Sequence, residues 1–210
     1  MATQNKASLP VIKRLPKYYR YLTNLSADGK DKISSSELAH MMGTTASQVR
    51  QDFNCFGGFG QQGYGYNVSN LTGEIKRIMG IDRKHTIIIV GAGNIGHALT
   101  NFPGFAETGF EVKALFDVNE DLIGTEIKGH PVLDVKDMDE YIRENQIDIG
   151  VIAARRSAAQ EIADRMCAAG IRGIWNFVPL DITTSVPIEN VHLSESLSTL
   201  SYKIEHGLLD

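Results

Sequence analysis

Thr86-Ile-Ile-Ile-Val90-Gly91-Ala-Gly93-Asn-Ile-Gly96 is the stretch that decides the fold of this chain. The residues from Thr86 to Val90 are β-branched and nearly all apolar, which predicts a strand buried on both faces. Glycines at the spacing Gly91-x-Gly93-x-x-Gly96 follow at once, and we expect a helix over 94–102. The first glycine permits a tight turn, the second lets the backbone approach a pyrophosphate, and the third lets helix and strand pack closely. The stretch therefore predicts a dinucleotide-binding site.

Three glycines at this spacing also occur in ordinary turns, so the residues that follow must decide. A second apolar run, residues 112–116, ends in Asp117, which lies 26 positions after Gly91. In this fold a carboxylate near that position accepts hydrogen bonds from the adenosine ribose. Residues 118–121 contain no Arg or Lys to neutralise a 2′-phosphate, so Asp117 favours NAD over NADP. The alternative is that Asp117 only caps the next turn. The candidate cofactor residues of this stretch are Gly91, Ala92, Gly93, Asn94, Ile95, Gly96, Asp117 and Val118.

Charge is distributed unevenly along the 210 residues. Residues 1–80 carry ten Lys or Arg against five Asp or Glu, whereas the remainder carries eleven against twenty, giving net charges of +5 and −9. A basic first module on an acidic protein indicates a nucleic-acid-binding domain, although a solvated basic helix would also contribute to the asymmetry. We therefore expect two functional modules.

Targeting and cysteine signals are weak in this sequence. No apolar run approaches the roughly 18 residues of a membrane span, and the N-terminus lacks the apolar core of a signal peptide, so we expect a cytoplasmic protein with no membrane contact. Cys55 and Cys167 lie far apart without metal-ligand spacing, so neither a disulfide framework nor a metal site is expected.

The basic module has the pattern of a helix-turn-helix. Apolar residues spaced by three or four predict an amphipathic helix over 10–25. A second helix is expected to begin near Ser34 and end at Gly43, and a third to run over 46–53, so a short glycine-containing turn joins two short helices. Alternating aromatic residues and glycines over 56–66 predict a tight hairpin, which makes this domain a winged helix. The alternative is a plain three-helix packing unit.

Val49 and Phe53 are expected to face the core from the third helix, which leaves its other side chains for the DNA groove and the phosphates. The candidate DNA-binding residues are Lys13, Lys17, Thr45, Ser47, Gln48, Arg50, Gln51, Gln61 and Gln62.

Strands and helices alternate beyond Asp117. The predicted elements are a turn and short strand over 128–132, a helix over 135–145, a strand over 147–154, a helix over 157–169, a strand over 174–177 and a last strand over 190–193. This alternation predicts a doubly wound parallel sheet of Rossmann type. From Ser194 a helix carries the stripe Leu197, Leu200, Ile204 and Leu208. Such a stripe docks on its own domain or on a second subunit, and we favour the second subunit because the sheet is already complete.

Across nearly its whole length the chain resembles the family of redox-sensing transcriptional repressors called Rex. The segments that carry the resemblance are SSEL at 35–38, QVRQDF at 48–53, FGGFG at 56–60, GYGY at 63–66, GAGNIGHAL at 91–99, PGF at 103–105, FD at 116–117 and NFVP at 176–179. The resemblance implies a winged-helix domain over 1–80, a Rossmann NAD(H)-binding domain over 85–193 and a C-terminal dimerisation helix over 194–210.

The resemblance also implies a function. A homodimer, with its C-terminal helices exchanged between subunits, would bind AT-rich inverted repeats in double-stranded DNA and would be released by NADH. Both NADH and NAD⁺ would bind, and Ala153, Ala154, Phe177 and Pro179 would border the nicotinamide. At Phe102, Arg155, His192 and Leu193 the chain departs from the residues usual in the family, and Phe102 lacks a hydroxyl group that could donate a hydrogen bond.

Two alternatives belong to other classes. An NAD-dependent oxidoreductase would need a substrate domain and a catalytic base, and no histidine of the chain has a recognisable orienting partner, so we expect no catalytic residue. A sensor of coenzyme A or another nucleotide would share the Rossmann layout, and Asp117 argues against it.

Overall fold

The computed structural model describes residues 7–59 and 65–208. The chain divides into two units, one ending at Arg83 and the other beginning at Lys84. The candidate residues Gln61 and Gln62 and the centre of the predicted wing lie outside the described residues.

The first unit is mainly helical. Its elements are α1 (Leu9–Ala27), β1 (Lys32–Ile33), α2 (Ser35–Met42), α3 (Ala46–Asn54), β2 (Tyr66–Asn67) and α4 (Val68–Ile78). The predicted helix-turn-helix is confirmed, since Gly43 ends α2 in a left-handed conformation and Thr45 caps α3. A capping box sets the start of α2: Glu37 N–H donates to Ser34 Oγ, and Ser34 N–H donates to the Glu37 carboxylate.

Phe53 anchors α3 in the core of this unit. Its ring lies 4.9 Å from that of Tyr18 on α1 and 5.2 Å from that of Tyr66 on β2, measured between centroids. Tyr66 pairs with Ile33 in an antiparallel bridge, so the chain leaving the wing region is held by a strand that precedes α2. The wing prediction expected residues 56–66 to pair among themselves, whereas their described carboxyl end pairs with β1.

The second unit is the predicted α/β fold. Its strands are β3 (His85–Val90), β4 (Phe110–Asp117), β5 (Glu126–Ile127), β6 (His130–Asp134), β7 (Ile149–Ile152), β8 (Gly173–Asn176) and β9 (Ile188–Asn190). Its helices are α5 (Asn94–Thr100), α6 (Gly104–Glu107), α7 (Met138–Asn145), α8 (Ala159–Ala169) and α9 (Leu193–His206). The strand order is β5-β6-β4-β3-β7-β8-β9, and all neighbours are parallel except the antiparallel pair β5 and β6.

Strand β3 is buried on both faces, as its composition predicts. Ile87 and Ile89 belong to one apolar cluster, and Ile88 and Val90 belong to the other. The sheet therefore has a core layer on each side, which confirms the doubly wound arrangement.

The last strand differs from the prediction. It spans Ile188–Asn190 instead of 190–193, because Ile188 pairs with Ile174 and His192 already serves as the N-cap of α9. Helix α9 ends at His206, where Gly207 turns left-handed with φ of 61°, so Leu208 lies beyond the helix that was expected to carry it. No side chain of α9 is buried in the part of the chain that the structure describes.

Candidate functional site

The glycine-rich loop lies where the strand order reverses. Strand β3 has β4 on one side and β7 on the other, and the loop follows its carboxyl end, the position at which open α/β sheets bind ligands. Gly91 has φ of +108°, and a Cβ there would lie 2.4 Å from the Ala153 carbonyl oxygen. A Cβ on Gly96 would lie 2.1 Å from the Gly91 carbonyl oxygen. Both glycines are therefore required by packing within the chain itself.

Gly93 differs from its two neighbours in the motif. A Cβ built on it meets no described atom within 4 Å, and its φ of −78° strains no side chain. The first hydrogen bond of α5 runs from His97 N–H to the Gly93 carbonyl at 2.9 Å, which leaves the N–H groups of Asn94, Ile95 and Gly96 without a partner inside the helix. These N–H groups, together with the open space beside Gly93, suit the pyrophosphate of a dinucleotide.

Asp117 is connected directly to this loop. Its Oδ2 accepts a hydrogen bond from Ala92 N–H at 2.7 Å, and its Oδ1 accepts from Val118 N–H at 2.8 Å and Asn119 N–H at 2.9 Å. The carboxylate thus caps the turn after β4, as the alternative interpretation held, and also fixes the glycine-rich loop. A negative charge held at the end of β4 is the chemistry needed to accept from ribose hydroxyls and to repel a 2′-phosphate.

The remaining candidate cofactor residues lie at the carboxyl ends of β7 and β8. Ala153 N–H donates to Val90 O at 2.8 Å, and Phe177 N–H donates to Ile152 O at 2.9 Å, so both residues continue the sheet toward the loop. Ala154 is half-buried and Pro179 is exposed. The structure therefore brings the candidate residues of four adjacent strands to one edge of the sheet.

Sequence reasoning missed the role of Asn176 at this edge. Its buried side-chain amide donates to Val178 O at 3.0 Å and to Asn190 Oδ1 at 2.8 Å, and its Oδ1 accepts from Val178 N–H at 2.9 Å. The amide holds the loop that presents Phe177 and Pro179. The signal in the sequence for this role was an amide side chain, Asn176, at the end of an apolar strand and shortly before Pro179.

Candidate DNA-binding residues surround the start of α3. Thr45 Oγ1 accepts from Gln48 N–H at 3.1 Å, as an N-cap should. Arg50 is exposed, with Nη1 donating to Ser35 Oγ at 3.0 Å and Nη2 to Ser47 Oγ at 3.2 Å. Gln51 is also exposed. Weak, solvent-exposed bonds to hydroxyl groups leave the Arg50 guanidinium available to an anion.

The two candidate lysines of α1 differ in their surroundings. Both lysines are exposed, but Lys17 Nζ also donates to the Met42 carbonyl at 2.9 Å, at the carboxyl end of α2. Lys17 therefore also compensates the negative end of a helix dipole beside the turn.

A buried ionic network underlies α3. Asp52 is fully buried, and its carboxylate accepts from Arg14 Nε at 2.6 Å and Nη2 at 2.7 Å, from Tyr18 Oη at 2.8 Å and from Gln48 Nε2 at 2.8 Å. Burial by itself raises the pKa of Asp52, but these hydrogen bonds outweigh burial and hold the pKa below its ordinary value. Burial, together with the Asp52 hydrogen bond, raises the pKa of Tyr18. The sequence did contain a signal that Asp52 points inward, because Asp52 lies on the same face of α3 as the core residues Val49 and Phe53.

Within residues 7–59 and 65–208, no helix combines the length and apolarity needed to cross a membrane. Over the same residues, no three His, Cys, Asp or Glu side chains are grouped so that they could hold a metal ion.

Comparison with known proteins identifies both units. A family model described as "Putative DNA-binding protein N-terminus" matches residues 6–54, and one described as "CoA binding domain" matches residues 82–180. The redox-sensing transcriptional repressor Rex of Clostridioides difficile is 50% identical over 209 residues, which cover 99% of this chain and 100% of that protein. The chain belongs to the Rex family. The Rex protein of Thermoanaerobacter pseudethanolicus is 48% identical over 206 residues, covering 97% of this chain and 92% of the relative.

Solved structures of a Rex-family repressor, RSP, have the same fold. RSP in complex with β-NAD⁺ and operator DNA gives a TM-score of 0.91 at 48% identity, covering 95% of this chain and 93% of RSP. RSP in complex with β-NADH gives a TM-score of 0.89 at 45% identity, covering 96% of each chain. These matches confirm the resemblance and the two-module fold class of this Rex-family chain. Its Rex relatives are named as transcriptional repressors and not as oxidoreductases.

Proposed function

We propose that this chain is a redox-sensing transcriptional repressor that acts in the cytoplasm, binds operator DNA as a homodimer and is released from it by NADH. The observation that carries the proposal is the match to RSP, whose structure contains β-NAD⁺ and operator DNA together, over 95% of this chain. One chain would then contain both a DNA-binding site and a cofactor-binding site.

The cofactor site would be formed by the glycine-rich loop and its neighbours. N–H groups of residues 93–96 would hold the pyrophosphate, and Asp117 would accept from the adenosine ribose. Val118, Ala153, Ala154, Phe177 and Pro179 would border the remainder of the cofactor. The nicotinamide ring supplies the redox signal, because it loses its positive charge when NAD⁺ becomes NADH. NAD(H) is favoured over coenzyme A, despite the family model's description, because Asp117 presents a carboxylate to a ribose that bears a 3′-phosphate in coenzyme A.

The DNA site would be formed by α3 and the basic side chains near it. Gln48, Arg50 and Gln51 would approach base edges or phosphates, while Lys13 and the helix-turn would position the domain on the backbone. The same contact would be lined by Thr45, Ser47 and Lys17. Gln61 and Gln62 remain candidate DNA-binding residues outside the part of the chain that the structure describes. The net charge of +5 over residues 1–80 supports binding to a polyanion. The expected operator is an inverted repeat, because a homodimer presents two identical DNA-binding helices related by a two-fold axis, and membership of the Rex family implies that this repeat is AT-rich.

The dimer would be built on α9. Leu197 is 68% exposed and Ile204 is 69% exposed on a helix with no buried side chain among the described residues. An apolar stripe of this kind is normally covered by protein, and a second copy of the chain supplies an identical stripe. Functionally, we divide the chain into a DNA-binding domain over 1–80, a cofactor domain over 85–193 and a dimerisation helix over 194–210.

Release by NADH would operate through linkage. One dimer geometry presents the two reading helices at the spacing of the operator, a second does not, and NADH binds the second geometry better. Releasing most of the population needs a coupling free energy of roughly 3 to 5 kcal/mol.

A titration of DNA binding tests the proposal. Fluorescence anisotropy of an AT-rich inverted repeat and a scrambled duplex is measured at fixed salt, without ligand and with NAD⁺, NADH or NADPH. Specific binding that NADH abolishes, and that NAD⁺ and NADPH leave intact, is the expected result. Operator affinity that is the same with and without NADH would refute the sensing mechanism.

A further inference from the structure

The buried carboxylate of Asp52 lies on the helix that is expected to read DNA, where a negative charge would normally be unfavourable beside phosphates. We propose that Asp52 is a positioning residue for operator recognition, because it fixes the side-chain amide of Gln48 and anchors α3 on α1. The inference rests on the proposed function, since it assumes that α3 meets the DNA. It assigns to Asp52 an indirect role in sequence readout, with no contact to DNA.

All the hydrogen-bonding capacity of the Asp52 carboxylate is used inside the protein. Oδ1 accepts from Arg14 Nη2 at 2.7 Å and Gln48 Nε2 at 2.8 Å, and Oδ2 accepts from Arg14 Nε at 2.6 Å and Tyr18 Oη at 2.8 Å. A carboxylate has about four acceptor positions, so four bonds saturate it. Asp52 therefore offers nothing to a base or phosphate, and its charge is neutralised by the paired Arg14 guanidinium.

Saturation of this kind determines which way the Gln48 amide points. An ionised carboxylate only accepts hydrogen bonds, so the amide nitrogen of Gln48 must face Asp52 and the amide oxygen must face away from it. Gln48 is only partly buried, and its oxygen and second N–H are the groups left for another partner. A donor and an acceptor side by side on one amide match the N7 and N6 positions of adenine in the major groove. Fixing the amide thus favours adenine at one position of the operator and removes the entropy cost of ordering a long side chain on binding.

The same carboxylate links two helices that are distant in sequence. Arg14 and Tyr18 both belong to α1, at 38 and 34 residues from Asp52. The exposed Arg50 lies two residues before Asp52 and therefore on roughly the opposite face of α3, since each residue turns a helix by about 100°. Because Tyr18 and Asp52 are fully buried, rotation of α3 about its axis would break bonds that water cannot replace. The network therefore sets the rotation of α3 on α1 as well as the amide of Gln48.

Asp52→Asn is the direct test, made in the full-length protein. Affinities for the AT-rich inverted repeat and for a scrambled duplex are measured at fixed salt without cofactor, together with NADH binding and the fraction folded by circular dichroism. We expect the ratio of operator to scrambled affinity to fall at least tenfold. Scrambled-duplex affinity should stay equal or become tighter, because Asn removes a negative charge from the module while the positive charge of Arg14 remains.

Gln48→Leu keeps the test decisive if Asp52→Asn fails to fold, since it leaves the ion pair intact and removes only the amide. Gln48→Leu should also lower the ratio of operator to scrambled-duplex affinity about tenfold. The variant that combines Asp52→Asn with Gln48→Leu should lower this ratio no further than the more severe single variant, because both substitutions act through one contact. A matched control is Glu74→Gln, which makes the same charge change in a partly exposed ion pair with Arg77 on α4 and should leave the ratio within twofold.

The outcomes separate the two proposals. If the wild-type protein does not discriminate operator from scrambled duplex, the proposed function fails. If it discriminates and folded Asp52→Asn weakens both duplexes equally, or Gln48→Leu leaves the ratio unchanged, the positioning role of Asp52 is overturned. NADH affinity should be the same in all variants, because none of the substituted residues belongs to the cofactor site.

Discussion

Gly93 and Gly96 of the glycine-rich loop should respond differently to the addition of one methyl group. Gly96→Ala places a Cβ 2.1 Å from the Gly91 carbonyl oxygen, whereas Gly93→Ala places one where no described atom lies within 4 Å. Gly93→Ala should therefore preserve the fold and weaken cofactor binding, because its methyl group enters the space through which the pyrophosphate approaches the backbone. Gly96→Ala should damage the fold itself.

Magnitudes follow from the same geometry. Ordinary contacts of a Cβ begin near 3.4 Å, so Gly96→Ala needs a backbone shift of more than 1 Å, and overpacking of this kind costs about 1–3 kcal/mol. For a unit of this size such a loss lowers the melting temperature by roughly 4–12 °C. Gly93→Ala costs the fold less than about 1 kcal/mol, the difference between Gly and Ala at an N-cap. Losing one or two charge-assisted bonds to the pyrophosphate, at about 1.5 kcal/mol each, weakens NADH binding by roughly 10- to 100-fold.

Two measurements on the full-length variants check this reasoning. Thermal unfolding followed by circular dichroism reports stability, and titration of NADH fluorescence reports affinity. Gly93→Ala with wild-type NADH affinity would refute the assignment of Gly93 to the pyrophosphate. Equal destabilisation by both variants would show that the open space at Gly93 is not a property of the folded protein in solution.

Four further predictions concern two charged side chains, the apolar stripe of α9 and the linkage between DNA and cofactor binding. Asp117→Asn should lower the ratio of NADH affinity to NADPH affinity by roughly 10- to 100-fold in equilibrium binding, because it removes the charge that repels a 2′-phosphate. An unchanged ratio would show that Asp117 does not select NADH over NADPH. Replacing both Leu197 and Leu200 by Asp should raise the dimer dissociation constant by at least roughly 10⁴-fold in analytical ultracentrifugation, because the homodimer loses four buried leucines at about 1.5–3 kcal/mol each. A dimer of wild-type strength would refute the role of α9. The lowered pKa of Asp52 stabilises the fold at pH values above the ordinary carboxyl pKa of about 3.9. This stabilisation is lost as the pH falls through the lower pKa of the folded state. Asp52→Asn has no such carboxyl group, so acid unfolding followed by circular dichroism should show that its stability depends less on pH over this range. Saturating operator DNA should weaken NADH binding by the same factor by which NADH weakens operator binding, measured by NADH fluorescence, and unequal factors would exclude a simple linkage.

Local sequence signals predicted most of the secondary structure. The Ser34–Glu37 capping box and the left-handed Gly43 gave correct bounds for α2 because the residues that end a helix act within one turn of its ends. Strand β3 was found for a similar reason, since a short β-branched run has few other stable conformations.

Long-range contacts explain what the sequence could not predict. The partners of Asp52 are one example, because Arg14 and Tyr18 approach it from 38 and 34 residues away and no local pattern specifies that pairing. The last strand was placed too late because its register depends on Ile174, on a different strand, and the apolar character of residues 191 and 193 was the stronger local signal. Similarly, the exposed stripe of α9 indicates that a partner is needed and does not identify it.

In the proposed cofactor site, redox selectivity would arise at the ends of β7 and β8. NADH and NAD⁺ share the same adenosine diphosphate, so bonds from residues 93–96 and Asp117 would stabilise both cofactors equally and could not by themselves distinguish one from the other. Asp117 already accepts a hydrogen bond from Ala92 N–H at 2.7 Å, so the proposed adenosine subsite is organised in advance and would contribute affinity without discrimination. Only the nicotinamide differs between the two cofactors. The residues expected to border it, Ala153 and Phe177, must therefore bind the neutral ring and the charged ring differently for the repressor to sense their ratio.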